Sequence, residues 1–336
     1  MKEKDIRPQE LMARYVELSA QDAEHCFGAE QRYDMTCVAC GSAEAEPQFI
    51  KTGFAYAQCR QCGTLYQTPR PPIEAFEAFY RNSASSRYWA EVFFPAVAEA
   101  RREKIFRPRV ERLRQWCVER SVPVRRLMDV GAGYGIFLDE WRRCDPAVET
   151  MAVEPSAHLA AECRAKGLQV VEEVAENVTG MDGCADLVTC FEVLEHVHDP
   201  LSFLLSLKRL VRPGGILFVS TLSIDGFDLQ VLWDRSTQIS PPHHINFLSI
   251  EGFKKLFARA GLVDVDIQTP GQLDVDIVRN AVNKNSETLK QQRFVCALLR
   301  EEIAEDFQAF LARNRLSSHA WVFGRKALKE EEGYHG

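Results

Sequence analysis

Apolar and charged positions change rhythm along this chain. Residues 1–34 form a polar helical lead-in. Between 73 and about 122 apolar residues recur every three to four positions among charges (IEAFEAFY, then WAEVFFPAVAEARREKIFRPRVERLRQWCVE). That spacing predicts amphipathic helices. From 124 onward short apolar runs alternate with helical stretches. RLMDV, TMAVE, LQVVEE, DLVTC, ILFVST and LVDVDIQ read as six strands, and AWVFGRK as a seventh. Helices are expected after GAGYG, over SAHLAAECRAKG with Gly167 as its C-cap, over PLSFLLSLKRLV, and over SIEGFKKLFARAG with Ser249 as its N-cap. Residues 280–315 read as a helical insertion between the last two strands. Strands alternating with helices predict the α/β class and a mainly parallel, doubly wound sheet.

Composition bounds the class without changing it. The chain has 336 residues, 46% hydrophobic and 26% charged, with a formal net charge of −7. This is ordinary for a soluble globular protein of one large or two smaller domains. No apolar run is long enough for a membrane span, and the charged start MKEKDIRPQE does not resemble a secretory signal, so a cytoplasmic chain is expected. The acidic balance argues against a broad nucleic-acid footprint.

Four of the eleven cysteines are grouped as Cys37-x-x-Cys40 and Cys59-x-x-Cys62, with 18 residues between the pairs and a glycine after each pair. Two such knuckles at this spacing predict a four-thiolate zinc site, which leaves no coordination position for water and is therefore structural. PRPP at 69–72 marks a stiff boundary. The expected organisation is a lead-in at 1–34, a zinc-binding ribbon at 35–72, a helical lid at 73–122 and an α/β domain at 123–336. Within the lid, Tyr80, Arg87, Tyr88 and Trp89 are candidates to close over a ligand.

Asp129-Val-Gly131-Ala-Gly133-Tyr-Gly135 follows the first α/β strand and opens a helix. Such glycines let main-chain amides and a helix N-terminus approach a ligand. Glu154 ends the second strand, where a carboxylate can accept hydrogen bonds from both hydroxyls of a ribose. MDVGAGYGIFLDE, AVEPS, DLVTCFEVLEHVHDP and LVRPGGILFVST together resemble, in order and spacing, the motifs of the class I S-adenosylmethionine-dependent methyltransferases. The resemblance covers about 124–270. It implies a Rossmann-like seven-stranded sheet with its last strand antiparallel, and S-adenosylmethionine over the carboxyl ends of strands one, two and four. It places Gly131 and Gly133 beside the methionine portion, Asp129 at the opening of the motif, Glu154 at the ribose, and Phe191 and Glu192 along the cofactor. An adenine-binding acid is expected among Glu172, Glu173 and Glu176. Glu195, His196 and His198 fit a structural start to the next helix.

Pro241-Pro242-His243-His244-Ile245-Asn246-Phe247 follows the fifth strand after a long loop. It is similar to the His-containing stretch of sugar-modifying methyltransferases, which implies His244 as a general base with His243 beside it. TPGQLDVDIVRN at 269–280 also resembles a segment of that group. The expected activity is methyl transfer to a small saccharide or nucleotide-sugar. An RNA-base methyltransferase that grips RNA with the ribbon, and a non-catalytic cofactor-binding scaffold, are the rivals.

Overall fold

The computed structural model describes residues 2–28, 31–284 and 287–328. Its strands are β1 (Ala45–Lys51), β2 (Phe54–Cys59), β3 (Leu65–Gln67), β4 (Arg126–Val130), β5 (Glu149–Val153), β6 (Gln169–Val171), β7 (Ala185–Phe191), β8 (Val211–Leu222), β9 (Asn246–Phe247), β10 (Leu262–Gln268) and β11 (His319–Lys326). All seven segments expected as α/β strands join a single sheet in the order β10-β11-β8-β7-β4-β5-β6. β4 pairs in parallel with both β5 and β7, β5 with β6, and β7 with β8. The chain therefore runs outward from β4 to one edge and then returns on its other side. Such a reversal opens a crevice at the carboxyl end of β4, where open α/β sheets bind ligands. Every residue of β7 from Ala185 to Cys190 is buried, as expected of a parallel strand covered on both faces. β8 starts five residues earlier than the run ILFVST, because Val211 pairs with Ala185 before the register shifts at Leu187.

The described chain divides into two compact units, and the division is not the sequential one read from the motifs. One unit comprises Met1–Val97, Thr221–Phe253 and Ile267–Trp321; the other comprises Ala98–Ser220, Lys254–Asp266 and Val322–Gly336. The helical stretch 73–122 is thus parted at Val97 and Ala98.

In the first unit, β1 and β2 form a hairpin around Thr52 and Gly53, both with positive φ. Glycine makes such a turn inexpensive and lets the strands keep their right-handed twist. β3 adds to β2, and β9 adds antiparallel to β3 through Leu65–Phe247 and Tyr66–Asn246. Phe27, Phe54, Tyr56, Leu65, Phe76, Phe79, Ile245 and Phe247 pack into one core beneath this small sheet. Helices Asp274–Asn283, Glu287–Lys290, Arg293–Leu298 and Glu301–Arg313 lie between β10 and β11, with Val278, Leu299 and Leu311 buried among them. No helix among the described residues is long and apolar enough to cross a membrane.

Candidate functional site

The glycine turn lies at the carboxyl end of β4. Gly131, Gly133 and Gly135 all have φ between 56° and 73°, the left-handed region that favours glycine. Their reasons differ. A Cβ on Gly131 would lie 2.7 Å from Val193 Cγ2, and one on Gly135 would lie 2.6 Å from Leu168 Cδ1 and 2.9 Å from Cys163 Sγ. Those two positions are filled by the protein. A Cβ on Gly133 would meet nothing within 4 Å. The protein therefore leaves open space at the middle glycine, as a ligand cradle requires.

Glu154 follows β5 directly and is 5% exposed. Its Oε2 accepts the Gly133 N–H at 2.7 Å and its Oε1 the Ser156 N–H at 3.0 Å. Each carboxylate oxygen has a second lone pair, so a vicinal diol can still be received. Burial raises the Glu154 carboxyl above its usual range, and the two amides act against that shift. Asp129, near the end of β4, accepts the Thr189 hydroxyl at 2.7 Å. Burial, with a smaller push from Glu154, raises Asp129 to about 7. Two neighbouring acidic groups suit a sulfonium cation better than a pyrophosphate.

Phe191 packs against Phe137 and Phe218, with ring centroids 4.5 and 5.1 Å away. Glu192 follows with φ 55°. Its Oε1 receives the Ser220 hydroxyl at 2.7 Å and the Arg109 guanidinium at 2.9 Å. The same guanidinium lies over the Phe191 ring at 5.2 Å. Arg109 thus anchors both residues, and the sequence reading did not identify it. Arg109 lies on the helix Arg107–Glu119, and the sequence around it carries no motif that marks it. Glu172 pairs with Arg164 at 2.7 Å, while Glu173 and Glu176 are exposed.

The two candidate histidines, both in the first unit, have different environments. His243 is 4% exposed, with Tyr15 and Phe79 rings 5.4 and 4.8 Å away and Nε2 3.1 Å from Ser85 Oγ. Burial lowers His243 to about 3, so it is neutral at physiological pH. Ser85 is itself fixed, because Asp22 accepts the Ser85 and Ala84 main-chain N–H groups at 2.7 and 3.2 Å. Tyr80 donates to the His243 carbonyl at 3.3 Å, and Trp89 stacks on Phe93 at 4.4 Å. Arg87 is exposed and Tyr88 half-buried. His244 is half-buried, and its Nδ1 lies 2.6 Å from the Gln238 carbonyl oxygen. A carbonyl only accepts, so Nδ1 carries the proton and Nε2 is the lone-pair nitrogen of the neutral ring.

The four ribbon cysteines converge. Their Sγ atoms all lie within 4.8 Å of one another, with Cys37–Cys62 and Cys40–Cys59 each at 3.5 Å. Tetrahedral zinc thiolates require S–S separations of about 3.8 Å, given a Zn–S bond of about 2.3 Å. The two knuckles repeat one pattern. Gly41 N–H bonds the Cys37 carbonyl and Gly63 N–H the Cys59 carbonyl, at 2.8 and 2.9 Å. Both glycines have positive φ, 80° and 75°. The arrangement fits a closed four-sulfur zinc centre.

A parallel sheet reversing at β4, a glycine turn at its end and a buried acid after β5 define a nucleoside-binding α/β enzyme of the methyltransferase type. The family model for the methyltransferase domain matches residues 97–267, half of the chain, and the chain belongs to that family, the class I S-adenosylmethionine-dependent methyltransferases. Among curated relatives, the ubiquinone biosynthesis O-methyltransferase of Xanthomonas campestris is 34% identical over 108 residues, 31% of this chain and 45% of that protein. The Escherichia coli protein of the same name is 37% identical over 107 residues, 30% of this chain and 45% of its own. The chain thus spans about half the length of the curated relatives it matches. Among solved structures, an S-adenosylmethionine-dependent methyltransferase from Archaeoglobus fulgidus is 18% identical, with a TM-score of 0.45, covering 69% of this chain and all of the other. The plantazolicin methyltransferase, solved with S-adenosylhomocysteine, is 11% identical with a TM-score of 0.49 over 75% of this chain and 94% of the other.

Proposed function

We propose that this protein transfers a methyl group from S-adenosylmethionine to an oxygen, nitrogen or carbon of a small polar acceptor, of the sugar or nucleotide-sugar class. The observation that carries the donor half is the open space at Gly133 beside the buried Glu154 carboxylate. When bound, S-adenosylmethionine supplies an electrophilic methyl group. The residues of the chain hold and orient. Glu154 accepts the ribose hydroxyls, the space left open at Gly133 takes the methionine portion, and Asp129 balances positive charge. Phe191 and Glu192 close the side of the cradle, fixed by Arg109. His244 is the general base of this reading, with its proton-accepting Nε2 set by the Nδ1–H bond to Gln238. His243 holds the loop, because burial keeps it neutral.

The acceptor class is supported by the Pro241–Phe247 and Thr269–Asn280 motifs and by the net charge of −7. The zinc of the four thiolates is structural in this reading, and the ribbon supports a loop instead of gripping RNA: residues 35–66 hold only Lys51 and Arg60 as basic groups. A second reading, methyl transfer to an oxygen of a non-saccharide small molecule, is favoured by the identity with the ubiquinone biosynthesis O-methyltransferases.

The test is a methyl-transfer assay read by mass spectrometry over nucleotide-sugars, phenolic acceptors and RNA. The first reading expects a singly methylated nucleotide-sugar, and loss of product with His244→Gln while S-adenosylhomocysteine still binds. Turnover on a phenol alone establishes the second reading. Salt-sensitive turnover on RNA alone overturns both.

A further inference from the structure

The His244 loop is attached to the cysteine ribbon at several points. Tyr56, on β2 and three residues before Cys59, donates its hydroxyl to the His244 carbonyl at 2.6 Å. Gln67 N–H donates to the Ile245 carbonyl at 2.9 Å. β3 pairs with β9 immediately after it. Arg70, fully buried, donates to Asn246 Oδ1 at 2.8 Å. At the other end of the same loop, Lys51 of β1 donates to the Ser236 carbonyl at 2.6 Å. Every one of these contacts lies within one compact unit. They bracket the peptide between Ser236 and Asn246, which holds both His244 and its acceptor, the Gln238 carbonyl.

We infer that the ribbon is the positioning element for His244, with Tyr56 its principal contact, so that the metal-organised sheet fixes which ring nitrogen of His244 carries the proton. The inference deepens the proposed role of His244 and rests on that reading for its catalytic meaning; the tautomer itself is a separate observable. The chain of cause is short. Four thiolates on one metal fix the two knuckles and therefore the ends of β2 and the start of β3. Those strands fix the main chain at 244–247 through Tyr56, Gln67 and the β3–β9 pairing. A fixed main chain holds the imidazole edge against Gln238, and an acceptor-only partner at Nδ1 dictates the Nδ1–H form. Tyr56 is a positioning residue in this scheme, not a catalytic one.

The experiment uses the full zinc-loaded chain labelled with nitrogen-15 at its histidines, with the His244 ring assigned by loss of its signals in His244→Gln. Long-range nitrogen–proton correlation at a pH where the ring is neutral reads the tautomer directly. The wild type is expected to show the Nδ1–H form in large excess. Tyr56→Phe, which removes one hydroxyl and keeps the ring in its core position, is expected to move the tautomer ratio about threefold or more toward Nε2–H, the population change of about one hydrogen bond. Its zinc content and S-adenosylhomocysteine affinity should stay at wild-type values. Stripping the metal with a chelator should shift the ratio in the same direction, in proportion to zinc lost. An Nε2–H majority in the wild type overturns the inference, as does a Tyr56→Phe spectrum identical to wild type. Failure of the catalytic reading appears differently: His244→Gln would keep methyl transfer while the Tyr56 effect on the ring persisted.

Discussion

The Gly133 main-chain N–H donates to the Glu154 carboxylate at 2.7 Å, tying the glycine turn after β4 to the acid after β5. One carboxylate thus holds the cradle in place while keeping lone pairs for a diol. Glu154→Gln keeps the shape, keeps one carbonyl acceptor and loses the charge. It is expected to weaken S-adenosylhomocysteine binding about 10- to 100-fold by calorimetry, the scale of one or two hydrogen bonds to a charged group. Wild-type affinity in this variant would remove Glu154 from the ribose site.

The three glycines of the turn are expected to fail in different ways. Gly131→Ala and Gly135→Ala add a Cβ where Val193, or Leu168 and Cys163, already sit under 3 Å away. Both should lose stability by about 2 kcal/mol or more, from left-handed strain plus overpacking. Gly133→Ala meets no protein atom within 4 Å and should cost only about 1–2 kcal/mol of backbone strain. Its loss should fall on ligand binding instead, at about tenfold or more on the view that the cofactor fills that space. Thermal midpoints and calorimetry on the three variants separate the two effects.

Arg109→Met removes the 2.9 Å bond to Glu192 and the guanidinium above Phe191 while keeping length. Both partners line the proposed cofactor wall, and Glu192 already has a strained positive φ. A three- to tenfold weaker S-adenosylhomocysteine complex is expected, the scale of about one ordinary hydrogen bond, because Arg109 acts on the site only through Glu192 and Phe191. Unchanged affinity would show that the Ser220 hydroxyl suffices to hold Glu192.

Much of this could be read in the chain, and the omissions share a cause. RLMDV and LVDVDIQ match their observed strands residue for residue, since continuous apolar or alternating runs are set by local periodicity. The cysteine knuckles and glycine turn were legible because each needs particular residues at fixed short spacings. Arg109 was not legible, because its importance comes from Glu192 and Ser220, which lie on other elements. Nor was Asn246–Phe247 legible as a strand: two residues carry no periodicity, and their pairing partner is β3. The division of residues 73–122 between two units at Val97 likewise follows from packing, as helical spacing continues through it.

The ribbon should carry one zinc per chain by native mass spectrometry. Cys62→Ser should abolish metal retention, because it removes one of four converging sulfurs. The thermal midpoint of the ribbon unit should fall, as metal binding free energy is folding free energy. S-adenosylhomocysteine affinity should change little, since Asp129, Gly133, Glu154 and Glu192 all belong to the other unit. A chain that retains full stability and holds no metal would refute the zinc assignment.

Asp228, fully buried on the helix Phe227–Leu232, provides a pH test of the fold. Burial, helped by the neighbouring charge of Asp274, raises its carboxyl from 3.8 to about 8. The folded state therefore holds a proton that the unfolded chain releases above about 4. That difference destabilises the fold increasingly between pH 4 and 8 and saturates above 8. Asp228→Asn mimics the protonated acid and does not ionise. Its thermal midpoint should match wild type near pH 4 and exceed it by a growing margin up to pH 8–9. A constant difference across that range would show that Asp228 is ionised in the folded protein.

The pairing of β3 with β9 also governs the order in which the chain can mature. Tyr56 and its acceptor at His244 are 188 positions apart. A nascent polypeptide can close its thiolate knuckles as soon as Cys62 leaves the ribosome. The fourth strand of that small sheet, however, does not exist until most of the central methyltransferase segment has been synthesised. During that interval the β3 edge has backbone donors and acceptors that its native partner strand is not yet there to satisfy.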